Sequence, residues 1–222
     1  FVLLHQTVIG MEALKQMEMA GDYPDILIGC AGGGSNAAGL IFPFMRDKLN
    51  GTKPDLKAIF VESSACPSMT RGEYAYDWGD TAKTGPVAMM HTVGHGFIPA
   101  PVHAGGLRYH GMAPLVSHVY ELGLVEAISI PQTECFESAL KFARTEGIIP
   151  APEPTHALAA AIREALACRE SGEEKVILTA LCGHGHLDLA AYDKYLAGEM
   201  VDLDLSDDTI AEAMQSVPEI EA

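Results

Sequence analysis

A glycine-rich loop at residues 32–36 has the composition best suited to bind a small anion. Gly32, Gly33 and Gly34 precede Ser35 and Asn36, and the loop follows the apolar run 25–29, which indicates a buried strand. Glycines let backbone N–H groups approach a ligand without interference from a Cβ atom, and a helix that begins near Asn36 adds the positive end of its dipole. The spacing matches neither GxxxxGK[ST] nor GxGxxG. We therefore predict a phosphate site here, with a tight strand-to-helix turn as the alternative.

A second group of reactive side chains lies near the end of the predicted strand 175–181. Cys182, His184 and His186 alternate with glycines. Alternate positions in a glycine-rich turn seldom form a tetrahedral zinc site, so we predict no metal. The carboxyl end of a strand is where open α/β sheets gather their ligands, which makes Cys182 a candidate ligand-binding residue. A buried structural cysteine is the alternative, since this is the commonest fate of the residue type.

The spacing of apolar residues predicts the elements that must position these groups. Predicted helices cover 7–19, 36–49, 112–122, 132–145, 155–171 and 188–197, and predicted strands cover 25–29, 56–62, 125–130 and 175–181. Alternating strands and helices indicate an α/β fold with a mostly parallel twisted sheet and helices on both faces. Between about residues 66 and 111 the pattern is lost, and we predict a long irregular region, which is uncommon unless it is functional.

Composition excludes several classes of function. The chain has 222 residues and a net charge of −16, which disfavours nucleic acid and anionic membrane surfaces as partners. Apolar runs are broken well before 18 residues, so no membrane span is predicted. The five cysteines are odd in number and widely scattered, which predicts reduced thiols and a cytoplasmic location.

We predict a single main domain over residues 1–200 and an acidic tail over 201–222. Ile210, Ala213 and Met214 are spaced as in a short amphipathic helix, with disorder as the alternative. The first residues contain no initiator Met and no signal-peptide features. We expect the natural chain to begin earlier.

Three segments together carry a family resemblance: residues 32–36, residues 146–157 and residues 181–188. In that order they resemble the C-terminal half of tryptophan synthase β subunits, which are fold type II pyridoxal-phosphate enzymes. The match covers nearly the whole chain to about residue 200. The segment 103–111 is more similar to the second type of β subunit than to the standard type.

The resemblance implies a cofactor, pyridoxal 5'-phosphate, and a role for each matching residue. Gly32, Gly33, Gly34, Ser35 and Asn36 would bind its phosphate, in agreement with the anion site predicted above. Glu153 would be the catalytic carboxylate near the cofactor ring and indole; taken alone it indicates an acidic residue at a helix N-terminus. Cys182 would face the pyridine nitrogen as a neutral partner. Such a partner leaves that nitrogen unprotonated, which suits β-elimination and β-replacement.

Two departures from the family pattern weaken parts of this prediction. Arg108 replaces an aspartate that gates the indole pocket in the standard subunit, so selectivity for indole is less secure. The Schiff-base lysine of the family follows a His in the N-terminal half, and none of the eight lysines in this chain has that setting. Without such a lysine the covalent cofactor link and the base for the substrate α-proton are missing.

Three functions remain open at this point. The first is the C-terminal portion of an enzyme that condenses L-serine and indole to L-tryptophan, with the missing N-terminal half supplying the lysine. The second is a related β-eliminating or β-replacing enzyme, such as a serine dehydratase or a threonine synthase. The third is a non-catalytic module that binds phosphate or a partner. The resemblance further implies a homodimer and leaves room for a tryptophan synthase α subunit as a partner.

Overall fold

The computed structural model describes residues 1–220 and has an α/β fold. The helices are α1 (Val2–Gln6), α2 (Val8–Ala20), α3 (Ser35–Leu49), α4 (Ser68–Arg71), α5 (Pro114–Glu121), α6 (Gln132–Glu146), α7 (Pro152–Ser171), α8 (Leu189–Leu196) and α9 (Asp207–Met214). The strands are β1 (Ile26–Cys30), β2 (Lys57–Ser63), β3 (Glu73–Trp78), β4 (Val87–Thr92), β5 (Glu126–Ile130) and β6 (Ile177–Thr179). A 3₁₀ turn spans Gly105–Leu107.

Four parallel strands form the central sheet in the order β5-β2-β1-β6. The chain moves from β1 outward to β2 and β5, and then returns to place β6 on the other side of β1. The strand order therefore reverses between β1 and β6. In open α/β sheets, the crevice at the carboxyl ends of the strands beside such a reversal is the usual ligand site.

Helices cover both faces of this sheet, as the sequence predicted. Leu27 and Phe60 point to one face, where they pack with residues of α2, α3 and α5 such as Phe44. Ile28 and Val61 point to the other face, where they pack with α6 and α7. Since successive strand residues face opposite sides, a sheet buried on both faces needs the continuous apolar runs seen in β1 and β2.

The prediction of an irregular region was wrong over residues 73–92, where β3 and β4 form an antiparallel hairpin. Its signal is present in the sequence, because Tyr74, Tyr76 and Trp78 alternate with other residues at strand spacing. Surrounding Gly, Pro and His residues obscured it.

The carboxylate of Asp77 in β3 is fully buried. It accepts a hydrogen bond from Thr92 Oγ1 at 2.7 Å and bonds His95 Nδ1 at 2.7 Å.

The strand predicted over 175–181 is shorter in the structure and ends at Thr179. Beyond that point the chain leaves β1 and bonds to the segment before α7 instead. Ala151 N–H donates to the Gly183 carbonyl at 3.0 Å, and Gly185 N–H donates to the Ile149 carbonyl at 2.8 Å. Cys182 therefore lies in a turn between β6 and α8, beside the start of α7, rather than directly at a strand end.

Residues 207–214 adopt the helical alternative considered for the tail. Ile210 of α9 is buried against Cys66, Val93 and Phe97. Ser206 caps the helix by accepting a hydrogen bond from Thr209 N–H at 3.2 Å. No helix within residues 1–220 has the length and apolar character needed to cross a membrane.

Candidate functional site

A cavity of about 530 Å³ opens at the carboxyl ends of β1 and β6, beside the reversal of strand order. The loop after β1, the 3₁₀ turn and the start of α7 form its walls. The lining residues are Val2, Cys30, Gly32, Gly33, Gly34, Ser35, Asn36, Gly106, Leu107, Tyr109, Ala113, Glu153 and Cys182. The structure therefore brings the predicted phosphate loop, Glu153 and Cys182 together around one space, although they lie up to 150 positions apart in sequence.

The glycine loop presents free backbone donors to this cavity. Gly34 adopts a φ of +88°, and α3 begins at the next residue. This left-handed conformation is one that glycine adopts without steric cost. The amides of Gly33, Gly34 and Ser35 make no hydrogen bond to other residues within 1–220. Free N–H groups at a helix N-terminus combine with its dipole to bind an anion.

The three glycines differ in the space around them. A Cβ atom on Gly32 would lie 2.2 Å from the Gly106 carbonyl oxygen, and one on Gly34 would lie 2.5 Å from Met112 Sδ. A Cβ atom on Gly33 would meet nothing closer than the Tyr109 ring, at 3.8 Å. Gly32 and Gly34 are therefore required by the packing of the protein itself. The space beside Gly33 is open to a ligand.

Glu153 lies in the first turn of α7, next to the 3₁₀ turn. Its Oε1 accepts a hydrogen bond from Gly106 N–H at 2.8 Å. Glycine at position 106 suits this approach, since an added Cβ would lie 3.1 Å from Glu153 Cγ. The carboxylate thus holds the 3₁₀ turn against the start of α7 and borders the cavity. The second oxygen, Oε2, makes no hydrogen bond to the described residues.

Two cysteine thiols meet at the edge of the cavity nearest the sheet. Cys30 Sγ at the end of β1 lies 3.6 Å from Cys182 Sγ. This hydrogen bond raises the pKa of the Cys30 thiol well above its usual value, and burial adds to the increase. The same hydrogen bond lowers the pKa of Cys182, because a Cys182 thiolate accepts the proton of Cys30. Cys182 is the exposed member of the pair and Cys30 the buried one.

Arg108 lies next to the site but does not line it. Its Nη2 donates to the Pro99 carbonyl at 2.9 Å, and the residues that line the cavity do not include it. Within residues 1–220 the lining also contains no lysine. The described part of the chain therefore brings no lysine side chain to the cavity.

Sequence reasoning missed several residues that line the cavity, among them Cys30 and Tyr109. Cys30 ends the β1 strand directly before the loop, so its position was readable once the strand was predicted. The Tyr109 ring lies over Gly32 and Gly33. Only the fold brings the segment 103–111 to the glycine loop, and no local pattern predicts that contact. Within residues 1–220, no group of three or more His, Cys, Asp or Glu side chains is placed to hold a metal ion.

An open parallel sheet with a glycine loop and a cavity at a reversal of strand order is the architecture of the α/β proteins that bind ligands at the carboxyl edge of the sheet. A sequence model of the family described as "Pyridoxal-phosphate dependent enzyme" matches residues 1–183. The chain belongs to this family.

Curated relatives are similar to nearly all of this chain. The tryptophan synthase beta chain 2 of Aquifex aeolicus is 63% identical over 203 residues, which cover 90% of this chain and 47% of the relative. The tryptophan synthase beta chain 2 of Thermotoga maritima is 56% identical over 191 residues, which cover 86% of this chain and 45% of the relative. The chain thus spans about half the length of the curated relatives it matches.

Two solved structures share the fold at low sequence identity. A fungal L-serine ammonia-lyase from Rhizomucor miehei has a TM-score of 0.60 at 16% identity, covering 88% of this chain and 56% of that chain. A threonine deaminase from the organism abbreviated T.th. has a TM-score of 0.58 at 17% identity, covering 82% of this chain and 53% of that chain. The likeness supports the α/β fold.

Proposed function

We propose that the loop Gly32–Asn36 binds the phosphate of pyridoxal 5'-phosphate. The observation that carries this proposal is the set of free amides on Gly33, Gly34 and Ser35, together with the open space beside Gly33. An anion here would satisfy donors that the protein leaves unpaired, and it would meet the positive end of α3. A cavity of about 530 Å³ is also large enough for a small cofactor and its substrate.

The cofactor ring would extend from the loop toward Glu153 and Cys182. Cys182 would approach the pyridine nitrogen, and Glu153 would stand at the other side of the ring, near the bound substrate. The Oε2 atom of Glu153 supports this role, because it makes no hydrogen bond to the described residues and can accept a proton or a hydrogen bond from a ligand. The Gly106 amide fixes the carboxylate in place through its other oxygen.

We infer that the whole protein condenses L-serine and indole to L-tryptophan. Relatives named tryptophan synthase beta chain, 53–63% identical to this chain, support this reaction. The bound cofactor supplies an electron sink for the carbon skeleton of the amino acid. Glu153 would stabilise positive charge on the indole ring as its C3 attacks. Tyr109 and the 3₁₀ turn would exclude water from the ring side of the cavity.

The lysine that bonds the cofactor would come from the half of the relatives' length that this chain does not span. That half would also cover the open side of the cavity. In the described residues Lys57 bonds Glu164 Oε1 at 2.9 Å, and Lys48 bonds the Leu56 carbonyl at 2.6 Å. Both lysines are held elsewhere by these contacts.

A related elimination reaction is the second candidate. The observation that favours it is the position of Arg108, whose guanidinium is bonded to the Pro99 carbonyl and supplies no gate for indole. An enzyme without selectivity for indole would release the elimination product of serine as pyruvate and ammonia.

One experiment separates the two reactions. The complete enzyme, with the segment that corresponds to the rest of its relatives, is supplied with pyridoxal phosphate and L-serine, with and without indole. Tryptophan formed in proportion to indole, with little pyruvate, supports the synthase. Pyruvate formed at the same rate in both reactions would show a serine dehydratase and overturn the proposed synthesis.

A cytoplasmic homodimer completes the proposal, and an α subunit is a further candidate partner. The five cysteines, all free thiols in the structure, support a reducing compartment. Sedimentation of the complete enzyme measures the oligomeric state directly.

A further inference from the structure

The thiols of Cys30 and Cys182 form a pair whose chemistry the proposed reaction does not use. Their sulfur atoms are 3.6 Å apart, at the end of β1 and in the turn that follows β6. A disulfide bond is about 2.05 Å long, so the two sulfur atoms need to approach each other by only about 1.5 Å to form one.

The setting of the two sulfurs gives each a distinct part in an oxidation. Both residues line the open cavity, but Cys182 is exposed, whereas Cys30 is buried, with 7% of its surface exposed. A small oxidant reaches Cys182 first. Cys30 then remains in contact with the oxidised sulfur of Cys182. Cys182 is thus placed as the cysteine that peroxide oxidises, and Cys30 as the resolving cysteine.

We propose that Cys30 and Cys182 form a reversible disulfide at the edge of the cofactor cavity when the protein meets hydrogen peroxide. The Cys182 thiolate attacks one peroxide oxygen, the O–O bond breaks, and hydroxide leaves, giving a sulfenic acid. The Cys30 sulfur then attacks the Cys182 sulfur, and the sulfenic oxygen leaves with the Cys30 proton. In total two thiols lose two electrons and two protons, and one peroxide becomes two waters.

Hydrogen bonding favours the order of these steps. The Cys30 thiol donates to Cys182 and lowers the pKa of Cys182, so the exposed sulfur carries more of the reactive thiolate. The carboxylate of Glu153 opposes this trend by raising the pKa of both thiols. The closed disulfide would remove both the Cys182 thiol and its hydrogen bond from the cavity. This effect on the cofactor rests on the proposed function, whereas the disulfide itself does not.

Peptide mapping of the full 222-residue chain tests the proposal. The chain is treated with hydrogen peroxide, its remaining thiols are blocked, and it is digested with trypsin. We expect peptide 16–46, which contains Cys30, to be linked to peptide 176–194, which contains Cys182. Dithiothreitol should release the two peptides. Cys182→Ser should prevent the linkage.

Cys168→Ser provides the matched control, because Cys168 is also partly accessible but lies outside the cavity lining. This variant should form the same link as the unsubstituted chain. Peroxide that converts Cys182 to sulfinic acid without joining it to Cys30 would overturn the proposal, and so would a link made through Cys168.

Cofactor titration of the complete enzyme separates this inference from the proposed function. We expect oxidation to lower the affinity for pyridoxal phosphate at least about tenfold and dithiothreitol to restore it. A linked enzyme that binds the cofactor unchanged would argue against the place given to Cys182 beside the ring. The same result would not contradict the proposal that the disulfide forms.

Discussion

At the scale of single residues, Gly33 differs from the glycines on either side because its Cβ position is open. A branched side chain there would occupy the space we assign to the phosphate. We expect Gly33→Val in the complete enzyme to lower the affinity for pyridoxal phosphate by about 100-fold or more while the protein still folds. Titration by the cofactor's absorbance measures the affinity. Near-normal binding by a folded variant would show that the loop is not the phosphate site.

Gly32→Ala is the matched control for that variant. Its Cβ would lie 2.2 Å from the Gly106 carbonyl oxygen, so the 3₁₀ turn would have to move even in the absence of ligand. We expect a destabilisation of about 1–3 kcal/mol, as is typical of overpacking. Urea unfolding distinguishes the two variants: Gly32→Ala should unfold earlier, and Gly33→Val should unfold near the concentration found for the unsubstituted protein.

Cys182 gives a second prediction at this scale. Cys182→Ser should keep the β-replacement activity of the complete enzyme within about tenfold, because a hydroxyl can also accept from or donate to the pyridine nitrogen. Cys182→Asp should not, since a carboxylate favours a protonated ring nitrogen. The ratio of tryptophan to side products is the measurement. An Asp variant with the parent ratio would rule out contact between residue 182 and the ring.

At the scale of elements, α7 carries both Glu153 and a buried histidine, His156. Burial lowers the pKa of His156 to about 4, and its Nδ1 lies 3.0 Å from the Pro152 carbonyl oxygen. Its Nε2 is buried without a partner in the described residues. The ring is therefore neutral in the folded protein and donates from Nδ1, which holds the first turn of α7 beside the cavity.

Because His156 is buried in its neutral form, we expect the free energy of unfolding to fall in acid. The unfolded chain takes up the proton near pH 6.5 and the folded chain only near pH 4, so the contribution is complete above pH 6.5 and falls between these values. The loss amounts to about 3 kcal/mol for a group of this burial. Urea unfolding at several pH values should show that His156→Gln flattens this part of the profile. An equally steep profile in the variant would assign the loss to other groups.

The helices and central strands could be predicted from sequence because each repeats an apolar pattern locally. Strands β1 and β2 are buried on both faces and read as continuous apolar runs, and α6 and α7 end at Gly147 and Gly172 in the left-handed conformation. The β3–β4 hairpin was not predicted because its alternating aromatic residues form a short pattern that turn residues interrupt. The prediction of where β6 ends was wrong because tertiary hydrogen bonds to the segment before α7 decide where the strand stops. No local sequence pattern encodes these bonds.

The candidate site was predictable to a different degree. The glycine loop is contiguous, so its chemistry could be read directly. Glu153 and Cys182 required the family resemblance, since an acid in a first helical turn and a cysteine after a strand both have ordinary structural explanations. Tyr109 and the contact between Cys30 and Cys182 depend on chain crossings over the sheet. Their roles, like those of the predicted residues, remain predictions until variants are measured.

At the scale of the whole molecule, the sheet supplies only part of a cofactor site. Loop 32–36 and the start of α7 contact the cavity from the described part of the chain, and the lining there has no lysine. Phosphate contacts alone give weak binding, because the covalent bond and the packing of the ring's other face are lacking. We therefore expect the 222-residue chain by itself to bind pyridoxal phosphate weakly and to make no tryptophan.

The measurement is an assay of the purified chain with pyridoxal phosphate, L-serine and indole. Adding the separately expressed part of the Aquifex aeolicus relative that this chain does not match should restore synthesis if the two parts dock as they do in one chain; the shared part is 63% identical. The control is the same added part with the lysine that we propose bonds the cofactor replaced by Ala, and it should restore nothing. Appreciable turnover by the chain alone would mean that one of its own eight lysines bonds the cofactor. That result would overturn the assignment of the lysine to the other half.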